Sequence, residues 1–147
     1  MGWLWESGCL SATPVSASAV SVVWWGGCDV AALIMDASVW PYEPWRLLTS
    51  ALPHVNFLHL AFNLYWLWML GALVERKFGP LRALGIYVLL ASGSGAAEYA
   101  VAVGGVGLSG VIYGLWGMLW ILDRLDERFE GAMDRQTSVV FAGWFFV

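Results

Sequence analysis

The sequence predicts an all-α fold, a polytopic transmembrane helical bundle with about five crossings. Hydrophobic residues make up 60% of the 147 residues and charged residues only 12%. A soluble domain of this length needs far more polar surface to cover its core. The apolar residues also form blocks without Lys, Arg, Asp or Glu, at 57–74, 83–97 and 99–122. Since a helix needs about 20 mostly apolar residues to cross a bilayer, these blocks indicate membrane spans.

We expect a single membrane domain over residues 1–147. Its first span is short and rich in serine and alanine, residue types that suit close packing between helices. A loop with prolines and aromatics leads into the second span, and the charged linker DRLDERFEGAMDR, at 123–135, is expected to be a solvated loop. The predicted spans lie at residues 12–28, 56–74, 81–102, 108–122 and, incomplete, 137–147.

Positive charge predicts the orientation of these spans. Six of the seven basic residues fall in two loops, 75–82 and 123–135, which lie on the same side if every span crosses once. By the positive-inside rule that side is cytoplasmic. We therefore expect an integral multi-pass protein of the plasma membrane, the inner membrane of a prokaryote.

The last apolar run covers only Thr137 to Val147, which is about 16 Å of helix and roughly half a bilayer. A natural terminus there would leave a carboxylate and unsatisfied carbonyls in hydrocarbon, at a high cost in free energy. We therefore interpret the chain as truncated, with the last span incomplete.

Polar side chains stand near the start of the second span. His59 and Asn63 are four residues apart and share one face of a helix, and His54 lies just over a turn earlier. One interpretation is hydrogen bonding between neighbouring helices. The other is a functional cavity, because polar residues within spans often mark one.

A second polar feature is the segment GGVGLSGVIYGLWG, at 104–117. Gly107, Gly110, Gly114 and Gly117 recur at helical spacing and predict a close-packing face. They do not explain Ser109, which stands where a turn becomes a helix, next to free backbone N–H groups that stabilise negative charge. The pattern is G-x-S-G, and it lacks the second glycine of the G-x-S-x-G elbow of α/β-hydrolases.

Both features are predicted at the outer end of the bundle, and together they favour acyl transfer. That chemistry needs a nucleophile and hydrogen-bond donors aimed at the developing oxyanion. Ser109 can serve as the nucleophile, while the Asn63 amide and an N–H of His59 can serve as the donors.

In this order, these motifs resemble those of the rhomboid family of intramembrane serine proteases. The resemblance covers roughly residues 43–147 and includes Trp45-Arg46, H-x4-H-x3-N, Glu75-Arg76 and G-x-S-G. It implies a rhomboid-like bundle with six core helices in the complete protein, of which about five are present. It also implies that Ser109 is the nucleophile of a serine–histidine dyad, with His59, Asn63 and the Ser109 backbone N–H as the oxyanion hole.

The resemblance assigns further residues and partners. Supporting positions are His54, Gly107, Gly110 and Tyr113, the last packed beside the catalytic histidine. Substrates would be single-pass transmembrane proteins in the lipid bilayer, cut near the outer ends of their helices. We expect no cofactor, no metal and no nucleic-acid partner.

The resemblance fails at the general base, which in the family is a histidine on the sixth helix. His54 and His59 are the only two histidines here, and both match the oxyanion-side motif. We therefore predict that the 147-residue chain is inactive or nearly so. An alternative is a catalytically inactive rhomboid-like pseudoprotease that binds transmembrane clients, although the intact G-x-S-G favours a protease. A small transporter would leave G-x-S-G unexplained.

Overall fold

The computed structural model describes residues 33–34, 42–101 and 106–144, and every regular element in these ranges is helical. The predicted all-α class is confirmed for this part of the chain, while the predicted first span at 12–28 lies outside the described residues. The elements in chain order are α1 (Arg46–Thr49), α2 (Phe57–Phe78), α3 (Pro80–Val101), α4 (Ser109–Leu125), a 3₁₀ turn (Glu127–Phe129) and α5 (Arg135–Trp144).

Two of these helices, α2 and α3, have the length and composition of membrane spans. Each has 22 residues, which is roughly 33 Å of helix against a hydrocarbon core of about 30 Å. Only 22% and 6% of the residues in their most apolar stretches are buried inside the protein, which suits helices that contact lipid. Helices α4 and α5 lie where later spans are expected. The number of crossings and the division into one domain stay predictions.

The start of α2 is set by a side chain just before it. Asn56 is the N-cap residue, and its side-chain oxygen accepts a hydrogen bond of 2.8 Å from the backbone N–H of His59. This bond satisfies one of the free donors in the first turn of the helix. The first turn of α2, which carries His59, is therefore fixed by a local interaction.

Close contacts join α4 to α3. A Cβ atom on Gly110 would overlap the Ser94 side chain, and a Cβ atom on Gly114 would lie 2.6 Å from a methyl carbon of Leu90. Gly117 has nothing within 4 Å of the same position. Of the glycines predicted to form a close-packing face, Gly110 and Gly114 therefore pack against α3, whereas Gly117 does not take part in close packing.

The linker between α4 and α5 is not the wholly solvated loop that its charges predict. Phe129 is only 1% exposed, and its ring centroid lies 5.4 Å from that of Phe78 at the end of α2. The Lys77 ammonium lies 5.8 Å from the same ring. One buried aromatic thus anchors the linker against α2, because its apolar surface gains more from burial than from water contact. The contact also brings the two basic loops to the same end of the bundle.

A capping interaction also starts α5. The Asp134 carboxylate accepts a hydrogen bond of 2.6 Å from the backbone N–H of Thr137, three residues on, as N-cap residues do. This bond to the ionised form holds the pKa of the Asp134 carboxyl below its usual range.

Replacing Gly110 by alanine should destabilise the bundle, because the added methyl group overlaps Ser94 and forces α3 and α4 apart. Overpacking of this kind typically costs about 1–3 kcal/mol. The matched control is Gly117→Ala, which adds the same methyl group to the same helix in open space and gains up to about 1 kcal/mol of helix propensity. Thermal unfolding in detergent measures both variants. Equal midpoints for the two variants would contradict the packing described here.

Acid should weaken the start of α5 through Asp134. A carboxyl whose pKa is lowered on folding contributes stability above its unfolded pKa of about 3.9 and loses that contribution as pH falls through its folded pKa. Asp134→Asn keeps a good N-cap residue but cannot titrate. We expect the unfolding midpoint of the wild type to fall relative to that of Asp134→Asn between about pH 5 and about pH 2. A difference that stays constant over this range would contradict the prediction.

Candidate active site

A cavity between α2, α4 and α5 brings together the polar residues that the two sequence motifs single out. It offers about 20 Å³ to the centre of a water molecule, more than the roughly 10–15 Å³ that one water needs. Its lining consists of His59, Phe62, Asn63, Trp66, Ser109, Ile112, Tyr113, Val140 and Phe141. Four predicted site residues, His59, Asn63, Ser109 and Tyr113, therefore share this cavity, although they come from two helices far apart in sequence.

Several buried nitrogen atoms of the lining residues lack hydrogen-bond partners among the described residues. They are Nδ1 of His59, Nδ2 of Asn63 and Nε1 of Trp66. Asn63 is only 3% exposed, and a buried polar group without a partner costs about 1–3 kcal/mol. An acceptor atom placed here, such as a carbonyl oxygen or an oxyanion, would gain hydrogen bonds that the protein itself does not make.

His54 does not line the cavity but lies directly beside it. The residue is 4% exposed, and the centroid of its ring is 5.3 Å from that of His59. The Nδ1 atom is 2.8 Å from the Leu52 carbonyl oxygen, and Nε2 is 3.4 Å from the backbone nitrogen of Leu108. His54 thus connects the loop before α2 to the turn before Ser109.

Gly107 occupies a position in that turn that strongly favours glycine. Its φ is +112°, a conformation that other L-residues rarely adopt. A Cβ atom would also lie 3.1 Å from Cε1 of His59 and 3.4 Å from Cδ2 of His54. Its own N–H donates a hydrogen bond of 3.0 Å to the Ser50 carbonyl. The turn therefore lies tightly against the loop before α2.

The two other predicted supporting residues have different surroundings. Tyr113 donates a hydrogen bond of 3.3 Å to the backbone carbonyl of Phe141, and its ring meets that of Phe141 edge to face at 5.5 Å. Gly110 does not line the cavity and contacts α3 instead. Its contact sets how closely the helix that carries Ser109 approaches α3.

Sequence reasoning missed the apolar lining of the cavity. Phe62 and Trp66 follow His59 by three and seven residues, which is the spacing of one helix face, so this pattern could have found them. No sequence pattern of this kind indicated Phe141. Its ring stacks on Trp116 at 5.6 Å and meets Trp66 edge to face at 4.7 Å, contacts that depend on how α5 packs against α2 and α4.

The polar groups at this cavity suit acyl transfer, since they comprise a hydroxyl, a carboxamide and an imidazole within apolar walls. Within the described ranges no three His, Cys, Asp or Glu side chains cluster in the manner of metal ligands.

Comparison with known proteins identifies the family. A sequence model described as the Rhomboid domain matches residues 41–147. The chain belongs to the rhomboid family. It is 36% identical over 125 residues to the rhomboid protease GlpG of Enterobacter sp. strain 638, covering 76% of this chain and 45% of that protein. The rhomboid protease GlpG of Klebsiella pneumoniae strain 342 is 34% identical over 127 residues, covering 78% of this chain and 46% of that protein.

The rhomboid match covers both sequence motifs and all the residues that line the cavity. The chain spans about half the length of these curated relatives. Family membership confirms the resemblance drawn from the motifs. The individual roles of Ser109, His59, Asn63 and their supporting residues stay predictions.

Replacing Gly107 by alanine should disturb this rhomboid site more than backbone strain alone would. Gly131 in the linker also has a positive φ, of +76°, but nothing lies within 4 Å of its Cβ position, so Gly131→Ala is the matched control. Strain at a positive φ costs about 1–2 kcal/mol. We expect Gly107→Ala to lower the free energy of unfolding by more than this control, since its φ lies farther from the left-handed region and the added methyl group also crowds two imidazole rings. Similar losses in both variants would mean that the crowding is relieved cheaply.

Proposed function

We propose that the chain carries the nucleophile and the oxyanion-binding groups of an intramembrane serine endopeptidase. One observation supports the proposal above the others. The Ser109 hydroxyl of α4 and the His59 and Asn63 side chains of α2 line the same cavity, which is large enough for one water molecule. Unpartnered buried nitrogens on two of these residues add to the argument, because they can bind an oxygen that carries developing charge.

The proposed reaction follows the general course of serine acyl transfer. The Ser109 oxygen attacks the carbonyl carbon of the peptide bond and gives its proton to a general base. The resulting oxyanion accepts hydrogen bonds from the Asn63 amide, a His59 N–H and the Ser109 backbone N–H. Collapse of this intermediate breaks the C–N bond, and the amine leaves with the proton. A water molecule then hydrolyses the acyl-enzyme.

The proposed base is a histidine other than His54 and His59. A base must lie within hydrogen-bond reach of the nucleophile with a free lone pair. His54 has both ring nitrogens engaged, with Leu52 and Leu108, and His59 is assigned to the oxyanion side. Since the sequence has no third histidine, the 147 residues alone should leave Ser109 weakly nucleophilic.

The proposed substrates are single-pass transmembrane proteins, reached from within the lipid bilayer and cut near the outer ends of their helices. The similarity to two rhomboid proteases supports peptide-bond cleavage as the reaction. Two apolar helices of spanning length fit the proposed location as a multi-pass protein of a bacterial inner membrane.

Ser109 should become reactive only when a base is supplied. We would compare the 147-residue chain with a chimera in which Val147 is followed by the C-terminal part of the Enterobacter relative. A fluorophosphonate probe reports an activated serine. We expect labelling and cleavage of a transmembrane substrate in the chimera, and labelling of the 147-residue chain at the background level set by its Ser109→Ala variant.

The Ser109→Ala variant of the chimera is the essential control, since it separates labelling of Ser109 from labelling of any serine in the added segment. Labelling of the chimera that persists in this variant would overturn the assignment of the nucleophile. Ser109-dependent labelling of the 147-residue chain would instead overturn the assignment of the base and point to His59. A folded chimera that binds transmembrane helices without labelling or cleaving them would favour the pseudoprotease alternative.

A further inference from the structure

We propose that His54 is a positioning residue for the nucleophile, acting through the turn formed by Gly107 and Leu108. The proposal deepens the proposed function and rests on it for its catalytic meaning. It assigns to the His54 Nε2 atom the task of holding the backbone N–H of Leu108, the residue directly before Ser109.

The contacts of His54 select one tautomer of its ring. A carbonyl oxygen can only accept a hydrogen bond, so the 2.8 Å contact with the Leu52 carbonyl places the proton on Nδ1. In the neutral ring Nε2 then carries a lone pair and can only accept. The Leu108 N–H, 3.4 Å away, is the donor that faces it. This bond is long for an N–H donor, but its direction agrees with the tautomer that the shorter bond requires.

Packing supports the same assignment independently of the hydrogen bonds. A Cβ atom on Gly107 would lie 3.4 Å and 3.5 Å from the Cδ2 and Nε2 atoms of His54. The Cδ2–Nε2 edge of the imidazole ring is therefore in close contact with the turn. The Gly107 N–H donates to the Ser50 carbonyl at 3.0 Å. Two successive N–H groups of the turn are thus bonded to the segment 50–54, one through a carbonyl and one through His54.

The turn needs this external support because the start of α4 has none of its own. The N-cap residue of α4 is Leu108, which makes no side-chain capping bond, and leucine has no oxygen with which to make one. Ser109 is the first helical residue. Its position relative to Asn63 and His59 therefore depends on backbone contacts made by the two residues before it.

Three substitutions separate the two sides of the His54 ring. Glutamine places its terminal polar group near the position of Nε2, whereas asparagine places its group near Nδ1, and leucine removes both. If the bond to Leu108 is what matters, His54→Gln should retain function while His54→Asn and His54→Leu lose it. If His54 only fills space, or if only its bond to the Leu52 carbonyl matters, His54→Gln should not retain more function than the other two variants.

The first measurement is amide hydrogen exchange at Leu108 in the 147-residue chain, which requires no catalysis. We expect exchange at least about fivefold faster in His54→Asn and His54→Leu than in the wild type, with protection recovered in His54→Gln. The Leu60 amide, bonded to the Asn56 carbonyl within α2, is the internal control for global unfolding. Equal exchange at Leu108 in the wild type and His54→Asn would overturn the proposal.

The second measurement is the rate of Ser109 labelling in the chimera described above, where the same rank order is expected. Unchanged labelling in His54→Asn, in a chimera that labels well as wild type, would overturn the positioning role while leaving the protease function intact. A wild-type chimera that never labels would refute the proposed function instead. In that case the exchange pattern would still decide whether His54 holds the turn.

Discussion

The close approach of the α4 N-terminus to its neighbours is the constraint on which the rest of the site depends. Ser109 has no side-chain cap to fix it, so its position follows from what the preceding turn and the first turn of α4 can touch. Gly107 lets the turn lie against two imidazole rings, and Gly110 lets the helix lie against Ser94. A side chain at either glycine would occupy the space that these contacts fill. The missing methyl groups therefore determine whether the hydroxyl reaches the cavity that Asn63 lines.

The apolar surroundings explain why the polar groups of the helical bundle divide into two sets. Hydrocarbon offers no water to satisfy an unpaired group, so each buried donor or acceptor needs a protein partner or a function. The Tyr87 hydroxyl belongs to the first set, since it lies 3.1 Å from both the Gly71 carbonyl and the Glu75 carboxylate and so links α3 to α2. Nδ2 of Asn63 and Nδ1 of His59 belong to the second set. An oxygen atom that enters the cavity can form hydrogen bonds with these nitrogens, and its binding is favoured for that reason.

Much of this arrangement could be predicted from sequence because it depends on short-range patterns. The spacing of His59 and Asn63 fixes a shared helix face, and G-x-S-G fixes a turn followed by a helix. The helices that carry them also begin and end within a few residues of the predicted spans at 56–74 and 108–122. Phe129 and Phe141 could not be found in this way, because each is buried by a helix distant in sequence. The charges around Phe129 even predicted that this residue is exposed, since a linker rich in acidic and basic residues is usually solvated. Its burial depends on a contact with α2 that the local sequence does not indicate.

The two histidines show how position within the fold decides the chemistry of identical side chains. The centroids of their rings lie 5.3 Å apart. Both ring nitrogens of His54 have partners, whereas Nδ1 of His59 has none among the described residues. His54 meets a carbonyl oxygen on one nitrogen and an N–H group on the other, and a ring used on both sides cannot accept a proton without losing a bond. His59 donates its backbone N–H to the Asn56 side chain, and Nδ1 of its ring has no partner among the described residues. A ring with an unpartnered nitrogen can bind a new oxygen in the cavity, whereas a ring bonded at both nitrogens has no free group to offer. The roles proposed for the two rings, support of the turn and binding of an oxyanion, thus belong to residues only five positions apart.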